Sequence, residues 1–437
     1  MVYHSATLGG RSLDPGWSRL TVSFKLPLKI SPNRRHLVDQ VGHPVLIHGD
    51  TAWSLISALT KEEVEQYLAN RAEKGFNAII VNLVEHKFNG PTNRYGEAPF
   101  RNLVDFSTTN DQYFEYADWV LQRAAFYGIV VFLAPLYLGL DNKPNDEGWF
   151  HEVRLSGMAR GYYFGRYIGK RYAGFDNIIW LMGGDRNPAG VIEEEYSVVQ
   201  GIKDFDTHSL FTASPELEQS TLETYGWRGW LDFNSTYTYA IVHKTLLDDY
   251  NRRPVMPFVL LSTSYENEHN ASALQIRRQG YWALLCGACG QFLGNYPIWL
   301  FNPGWESALE SPGAYDRVYL KAFITSRPWH QLVPDQQHRV VTGGLGESNG
   351  LDSLAAAITT DGNTVMVYLP TAQEVTIDLS RIAGSQACAW WFNPRTGDAQ
   401  PAGEYSTSGL QQFSPPTEGD WGLVLDNAAL KLPIPGL

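Results

Sequence analysis

The chain has 437 residues, a formal net charge of −12, 13% aromatic residues and only 18% charged ones. That length holds two or three domains and a sizeable core, and an acidic balance with no basic run excludes nucleic acid and anionic membrane as expected partners. Three cysteines, Cys286, Cys289 and Cys388, offer one C-x-x-C and no second ligand pair, so a zinc site is not expected and the pair reads as small buried residues.

The first 40 residues hold "RLTVSFKLPLKI", an alternating segment expected to add a strand to one of the domains that follow. The N-terminus has no apolar leader-like run, and no stretch of about 18 apolar residues occurs, so the expectation is a soluble, cytoplasmic protein unless a signal peptide has been trimmed. From residue 44, short apolar runs alternate with amphipathic stretches. "PVLIHGD" (44–50) predicts a strand. In "TKEEVEQYLANRAEKG", Thr60 and Glu63 fit a capping box, Gly75 fits the stop, and Val64, Tyr67, Leu68 and Ala72 share one helix face. Further strands are predicted at 76–85, 129–138, 177–185, 210–216, 231–239, 254–266 and 291–301, with helices near 111–127, 155–172, 191–204 and 272–287.

Continuous apolar runs suit strands buried on both faces, as a parallel sheet requires. Eight such units over about 290 residues predict a (β/α)8 barrel spanning 41–334. A doubly wound sheet would announce itself with a Gly-rich first turn, whereas the first strand here ends in "HGDTAW". Beyond 335 the texture changes. "AAAITT", "NTVMVYLP", "EVTIDLS", "ACAWWFNPRTG" and "DWGLVLD" are short runs broken by Gly, Pro and Asp, which predicts a small antiparallel β-sandwich over 335–437.

In a parallel barrel the working groups sit where strands end. Those positions carry Asp50 and Trp53, Glu85 and His86, Tyr137, Asp185 and Arg186, Glu216, Tyr237 and Tyr239, Ser262 with Glu266 and Glu268 beyond it, and Asn295 and Trp299. Carboxylates and aromatics dominate. H-E-x-x-H and G-x-S-x-G are absent, and "GGLGES" lacks its third glycine, so metallopeptidase, hydrolase-elbow and dinucleotide readings have no support. The oxygen-only grouping of Asp50, Glu85 and Asp185 is a weak metal signal, and neither metal nor cofactor is expected.

Two carboxylates across a cleft can hydrolyse a glycosidic bond, one protonated to help the leaving oxygen and one ionised to attack or to activate water. Aromatic faces suit the stacking of sugar rings. Asp185, after "NIIWLMGG", is the leading candidate. Its structural alternative is a turn or cap residue, or a partner of Arg186. The two preceding glycines admit a close backbone approach, which favours room for a ligand.

The blocks "HPVLIHGDTAWSLISALTKEEVEQYLANRAEKGFNAIIVNLV", "NRYGEAPF", "IIWLMGGDRNP" and "RRQGYWALLCGACGQFLGNYPIW" resemble the apiosidase-like (β/α)8 glycoside hydrolases. "AWWFNPRTGDA" is similar to the β-domain, labelled collagen-binding, that follows the barrel in that family. The resemblance covers roughly residues 35 to 430. It implies release of apiose or a related pentofuranose from plant polysaccharide, with Asp185 as the catalytic Asp. Family members tend to read Gly-Glu-Pro-x-Tyr-Glu at strand seven. This chain reads "LSTSYE", with Ser262 at the first Glu position and Glu266 at the second.

The expectation is therefore a glycoside hydrolase acting on a plant or microbial glycan, with Asp185 as general acid/base and Glu266 as partner carboxylate. Glu216 and Glu85 stand in reserve. Asp50, Trp53, His86, Tyr237, Asn295 and Trp299 are expected to hold the sugar. The rival from another class is a non-catalytic glycan-binding protein on a hydrolase scaffold, favoured by the loss of the strand-seven Glu.

Overall fold

The computed structural model describes residues 24–437 except 87, 141–146, 227, 240, 241 and 349, together with a short pairing of Thr7–Leu8 with Arg11–Ser12. Eight strands run in chain order: β1 Ile47–Thr51, β2 Ala78–Asn82, β3 Val130–Ala134, β4 Ile178–Gly183, β5 Leu210–Ser214, β6 Asn234–Tyr237, β7 Phe258–Ser262 and β8 Gly290–Leu293. Neighbours pair in parallel from β5 back to β1, then β1 with β8, β8 with β7 and β7 with β6. Nearly every residue in them is buried, which is why their sequences read as unbroken apolar runs rather than alternating ones.

Between β5 and β6 the ladder gives way to hydroxyl groups. Thr212 Oγ1 donates to Phe233 O (3.0 Å), and Thr221 Oγ1 donates to Ala213 O (2.7 Å). These small polar side chains close the curled sheet where its ladder is interrupted. Phe132 lies edge-on to both Phe292 and Phe233, with ring centroids 4.9 and 6.0 Å away, and fills the barrel's interior.

A helix follows each strand: α1 Lys61–Glu73, α2 Asp111–Phe126, α3 Phe150–Tyr172, α4 Ile192–Lys203, α5 Thr221–Tyr225, α6 Val242–Asn251, α7 Ala273–Leu285 and α8 Pro312–Thr325. The fold is a (β/α)8 barrel. The capping box expected at Thr60 and Glu63 is present. Cys286 and Cys289 are buried, with thiols pushed up to about 12 by burial. Among the described residues no helix is long and apolar enough to cross a membrane, and no group of three His, Cys, Asp or Glu side chains could hold a metal ion.

Before the barrel, Lys29–Ile30, Leu37–Val38 and Pro44–Val45 make a small antiparallel sheet, and Leu28, Leu37 and Val45 join the barrel core. The alternating N-terminal segment thus packs on the barrel, although its residues 19–23 lie outside the described residues.

After α8 come β9 Leu332–Pro334, β10 Val341–Gly343, β11 Ala355–Thr359, β12 Thr364–Leu369, β13 Val375–Asp378, β14 Gln386–Phe392, β15 Ala399–Ser406, β16 Leu410–Phe413 and β17 Trp421–Asn427. They form antiparallel sheets ordered β9-β11-β12-β17-β14-β15 and β10-β13-β16, packed face to face over a shared apolar core. The outer face of the larger sheet lies on α7 and α8. There Tyr281 stacks on Tyr368 (4.3 Å, 13°), and Phe323 meets Phe392 (5.0 Å). Two buried ion pairs cross the same boundary, Arg277 with Asp420 (3.0 Å) and Arg327 with Asp426 (2.7 Å).

Candidate active site

A cleft of about 450 Å³ opens over the C-terminal ends of the strands. Eight aromatic side chains line it: Trp53, Phe88, Tyr137, Tyr237, Tyr239, Tyr265, Tyr296 and Trp299. Its acids, among the described residues, are Asp185, Glu268 and Glu147. Trp53 Nε1 donates to the Tyr265 hydroxyl (3.3 Å) and its ring lies 5.3 Å from Tyr137, so the wall is cross-braced rather than loose.

Asp185 sits two residues past β4, half-buried, and accepts from Ser214 Oγ on β5 (2.9 Å). Burial raises the hydroxyl pKa of Tyr237, Tyr239 and Tyr265, and the negative charge of Asp185 adds to the rise in all three. At neutral pH these phenols remain protonated and can donate to sugar oxygens. Arg186 lays its guanidinium on the Phe150 ring, 3.5 Å from the centroid.

The two glycines ahead of Asp185 answer to protein rather than ligand. A Cβ on Gly183 would meet Ser214 O at 2.5 Å, and one on Gly184 would meet the amide nitrogens of Leu138 and Gly139 at 2.7 and 2.8 Å. Gly183 also has a positive φ of 85°. "GGD" therefore fixes where Asp185 stands by letting β5 and the β3 loop close in. The room it makes is filled by backbone.

Glu266 is not in the cleft. Its Oε1 accepts from Gly313 N (2.8 Å), and its Oε2 accepts from Asn295 Nδ2 (2.6 Å) and Ser311 Oγ (2.7 Å). The backbone explains the direction. Glu266 N donates to Gly294 O and Tyr296 N donates to Glu266 O, so residue 266 extends the β7–β8 pairing. Side chains alternate along such an extension, which sends Tyr265 into the cleft and Glu266 out to the start of α8. Gly294 permits this, since a Cβ there would overlap the Tyr265 ring. Asn267 then takes a left-handed φ of 66°, and the chain turns so that Glu268 faces the cleft. Glu268 Oε1 accepts from Trp299 Nε1 (2.7 Å). The nearby arginines of α7 are engaged elsewhere: Arg277 pairs with Asp420 and Asp316, and Arg278 donates to Leu351 O.

Of the other expected residues, Trp53, Tyr237 and Trp299 line the cleft and the rest do not. Asp50 is fully buried on the outer side of β1, where it accepts from Tyr67 OH (2.8 Å) and pairs with Arg71 (2.7 Å). Its neighbour Gly49 faces inward against Phe292, so alternation forces Asp50 toward α1. Asn295 is consumed by Glu266. Glu85 accepts from Ser57 Oγ (2.8 Å) and Asn89 N (2.6 Å), and burial pushes its carboxyl up to about 7. His86 Nε2 meets Glu152 (2.9 Å) beside Trp149, and Glu216 accepts from Asn187 Nδ2 (3.0 Å). Sequence reading did not select Tyr239, Tyr265, Glu268 or Tyr296 as site residues. "TYTY" and "SYENEH" signal polarity and aromaticity at strand ends but not which side chain turns inward.

Residues 31–331 match the family model described as "Apiosidase-like, catalytic domain", and residues 333–426 match one described as "Putative collagen-binding domain of a collagenase". No curated protein matches the chain. Among solved structures, a family 5 glycoside hydrolase from Bacteroides vulgatus ATCC 8482 is similar at a TM-score of 0.81 and 24% identity, over 92% of this chain and 94% of that one. A second glycoside hydrolase is similar at a TM-score of 0.81 and 23% identity, over 94% and 98%. A barrel whose mouth holds a strand-four Asp among aromatic walls is thus joined to a family match over most of the chain. The chain belongs to the apiosidase-like family of catalytic domains, and it is a glycoside hydrolase.

Proposed function

We propose that this enzyme releases apiose or a related pentofuranose from a plant or microbial glycan, with Asp185 as the acid that protonates the leaving oxygen. The observation carrying the reading is the setting of Asp185: a carboxylate braced by Ser214, facing a cleft of about 450 Å³ walled by Trp53, Tyr237, Tyr265 and Trp299. That volume lies within the range of about 300–1,000 Å³ common to small-molecule sites and suits a terminal sugar with part of its neighbour. Trp and Tyr faces stack on the ring while the phenol hydroxyls donate to its oxygens. The family match supports a pentofuranose as the substrate class.

The test uses purified protein with aryl pentofuranosides, an apiose-bearing pectic oligosaccharide and pyranoside controls. Pentofuranose release is expected, and Asp185→Asn is expected to lower it by roughly 100- to 10,000-fold on the oligosaccharide, because an amide cannot deliver the proton. Faster cleavage of pyranosides than of every pentofuranoside would refute the substrate assignment. Near wild-type turnover of the oligosaccharide by Asp185→Asn would refute the role of Asp185. Tight glycan binding with no turnover by the wild type would favour a binding protein.

A further inference from the structure

We infer that Glu268 is the second catalytic carboxylate of this site, and that it acts as the general base on a water held beside Ser262. The inference rests on the hydrolase reading above, in which Asp185 is the acid. Three observations carry it.

The first is elimination within the cleft. Glu266, Glu85, Glu216 and Asp50 are directed elsewhere by their hydrogen bonds, which leaves Glu268 and Glu147 beside Asp185 among the described residues. Glu147 is exposed on the loop between β3 and α3, whereas Glu268 is half-buried and oriented by the Trp299 indole. A carboxylate fixed by a group that itself lines the cleft is preorganised for its task.

The second is topology. Trp299 follows β8, and in an eight-stranded barrel β8 stands opposite β4. Glu268, bonded to Trp299, thus comes to the cleft it shares with Asp185 from another side of the mouth. Tyr239 lines the same cleft, where burial and then the charges of Asp185 and Glu268 raise the pKa of its hydroxyl.

The third is the residue at the end of β7. That end lines the cleft and carries the short Ser262 rather than a carboxylate. Glu268 comes later in the chain, beyond a left-handed turn at Asn267. Ser262 and Tyr265 line the cleft with their hydroxyls bonded to one another, and each hydroxyl keeps capacity to bind the water of this step. Glycosidases that invert seat a water between carboxyl groups about 6.5–9.5 Å apart, against about 5–5.5 Å in those that retain, and the anomer released first distinguishes the two. In the step, Glu268 takes a proton from the water as its oxygen bonds to the anomeric carbon. The bond from that carbon to the leaving oxygen breaks, and the departing electron pair takes the proton of Asp185. The products are a sugar of inverted configuration and the free hydroxyl of the remaining glycan. Solvent then resets both carboxyl groups.

The experiment compares Glu268→Gln, Asp185→Asn and Trp299→Phe on a dinitrophenyl pentofuranoside and on the pectic oligosaccharide, with proton NMR of the first anomer released. Glu268→Gln is expected to lose roughly 1,000-fold in kcat on both substrates, because water must be activated whatever the leaving group. Asp185→Asn should fail only on the oligosaccharide. The first-formed anomer should be inverted, and azide should restore turnover to Glu268→Gln. Trp299→Phe, which keeps the ring and loses the N–H, should fall by about 10-fold or less in kcat; a loss equal to that of Glu268→Gln would demote Glu268 to a positioning residue. A retained anomer, or Glu268→Gln within about threefold of wild type, overturns the inference while Asp185 and the hydrolase reading stand. No hydrolysis of any glycoside by the wild type overturns both.

Discussion

Replacing Glu266 by Ala is expected to damage the fold and spare the chemistry. The carboxylate is 7% exposed and takes three donors: the Gly313 amide at 2.8 Å, Asn295 Nδ2 at 2.6 Å and Ser311 Oγ at 2.7 Å. Bonds to a charged acceptor contribute about 1.5–3 kcal/mol each, but the three share one group, and deleting it also removes the cost of burying its charge. The net loss is expected near 3–5 kcal/mol, as for a buried pair broken on one side. Two structural consequences support that size. The helix α8 loses the anion at its N-terminus, and the buried Arg317 loses one of the negative charges that oppose its desolvation. In a chain this large the apparent melting temperature should drop by roughly 3–6 °C. Glu266→Gln, which keeps the volume, should destabilise less and hold kcat within about fivefold below its melt, since the group does not touch substrate. The measurements are thermal and urea melts beside steady-state kinetics on the same preparations. An unchanged melt with a loss of roughly 1,000-fold in kcat would return Glu266 to catalysis and refute the reasoning.

Trp299→Ala should raise KM by roughly tenfold while moving the melt little, because this half-buried indole faces the cleft and braces Glu268; a loss on the scale of about 3–5 kcal/mol in stability would make it a core residue instead. Removing residues 332–437 should give insoluble barrel, since it bares Tyr281, Leu320 and Phe323 and strips Arg277 of Asp420; a truncated barrel that melts like the full chain would show the domains to be independent. Glu195 accepts from the Gly183 amide and from Tyr225 OH (3.0 Å), and burial pushes its carboxyl up from 4.5 to about 7. Between those pH values the unfolded chain loses a proton that the fold keeps, so this group's contribution is complete below pH 4.5. By pH 8 it has fallen by roughly 3 kcal/mol. Glu195→Gln, whose amide mimics the protonated acid, should remove that slope, and melts from pH 5 to 8 that run parallel to wild type would refute the assignment.

The barrel was legible because buried strands and amphipathic helices leave different periods in the chain. Each of the eight predicted runs contains or overlaps its strand, and the box at Thr60 marks the start of α1. The C-terminal strands with apolar faces were legible on the same ground. β15 and β16 were not: "AQPAGEYS" lies at a sheet edge with mostly exposed side chains, so no burial pattern marks it. α5 has only five residues, too few for a helical period to show. The site was harder because strand ends were read as if every polar residue there faced the mouth. Asp50 and Asn295 show the failure. Both lie at or near strand ends, and the alternation that hides one residue inside the barrel sends its neighbour outward.

Glu266 and Glu268 carry this furthest. They are two residues apart, both acidic, and both beyond the same strand. In an uninterrupted extended chain they would point the same way. The positive φ at Asn267 breaks that equivalence, so one carboxylate caps α8 and the other reaches the mouth. Asn tolerates this backbone better than most residues because its short amide can hydrogen-bond locally, and Asn267 Nδ2 donates to Tyr296 O at 2.9 Å. Which of the two acids reaches the cleft is thus decided by Asn267, which is not itself an acid. Ser262 and the turn at Asn267 belong together: the strand end carries no carboxylate, and the turn brings one to the cleft from farther along the chain.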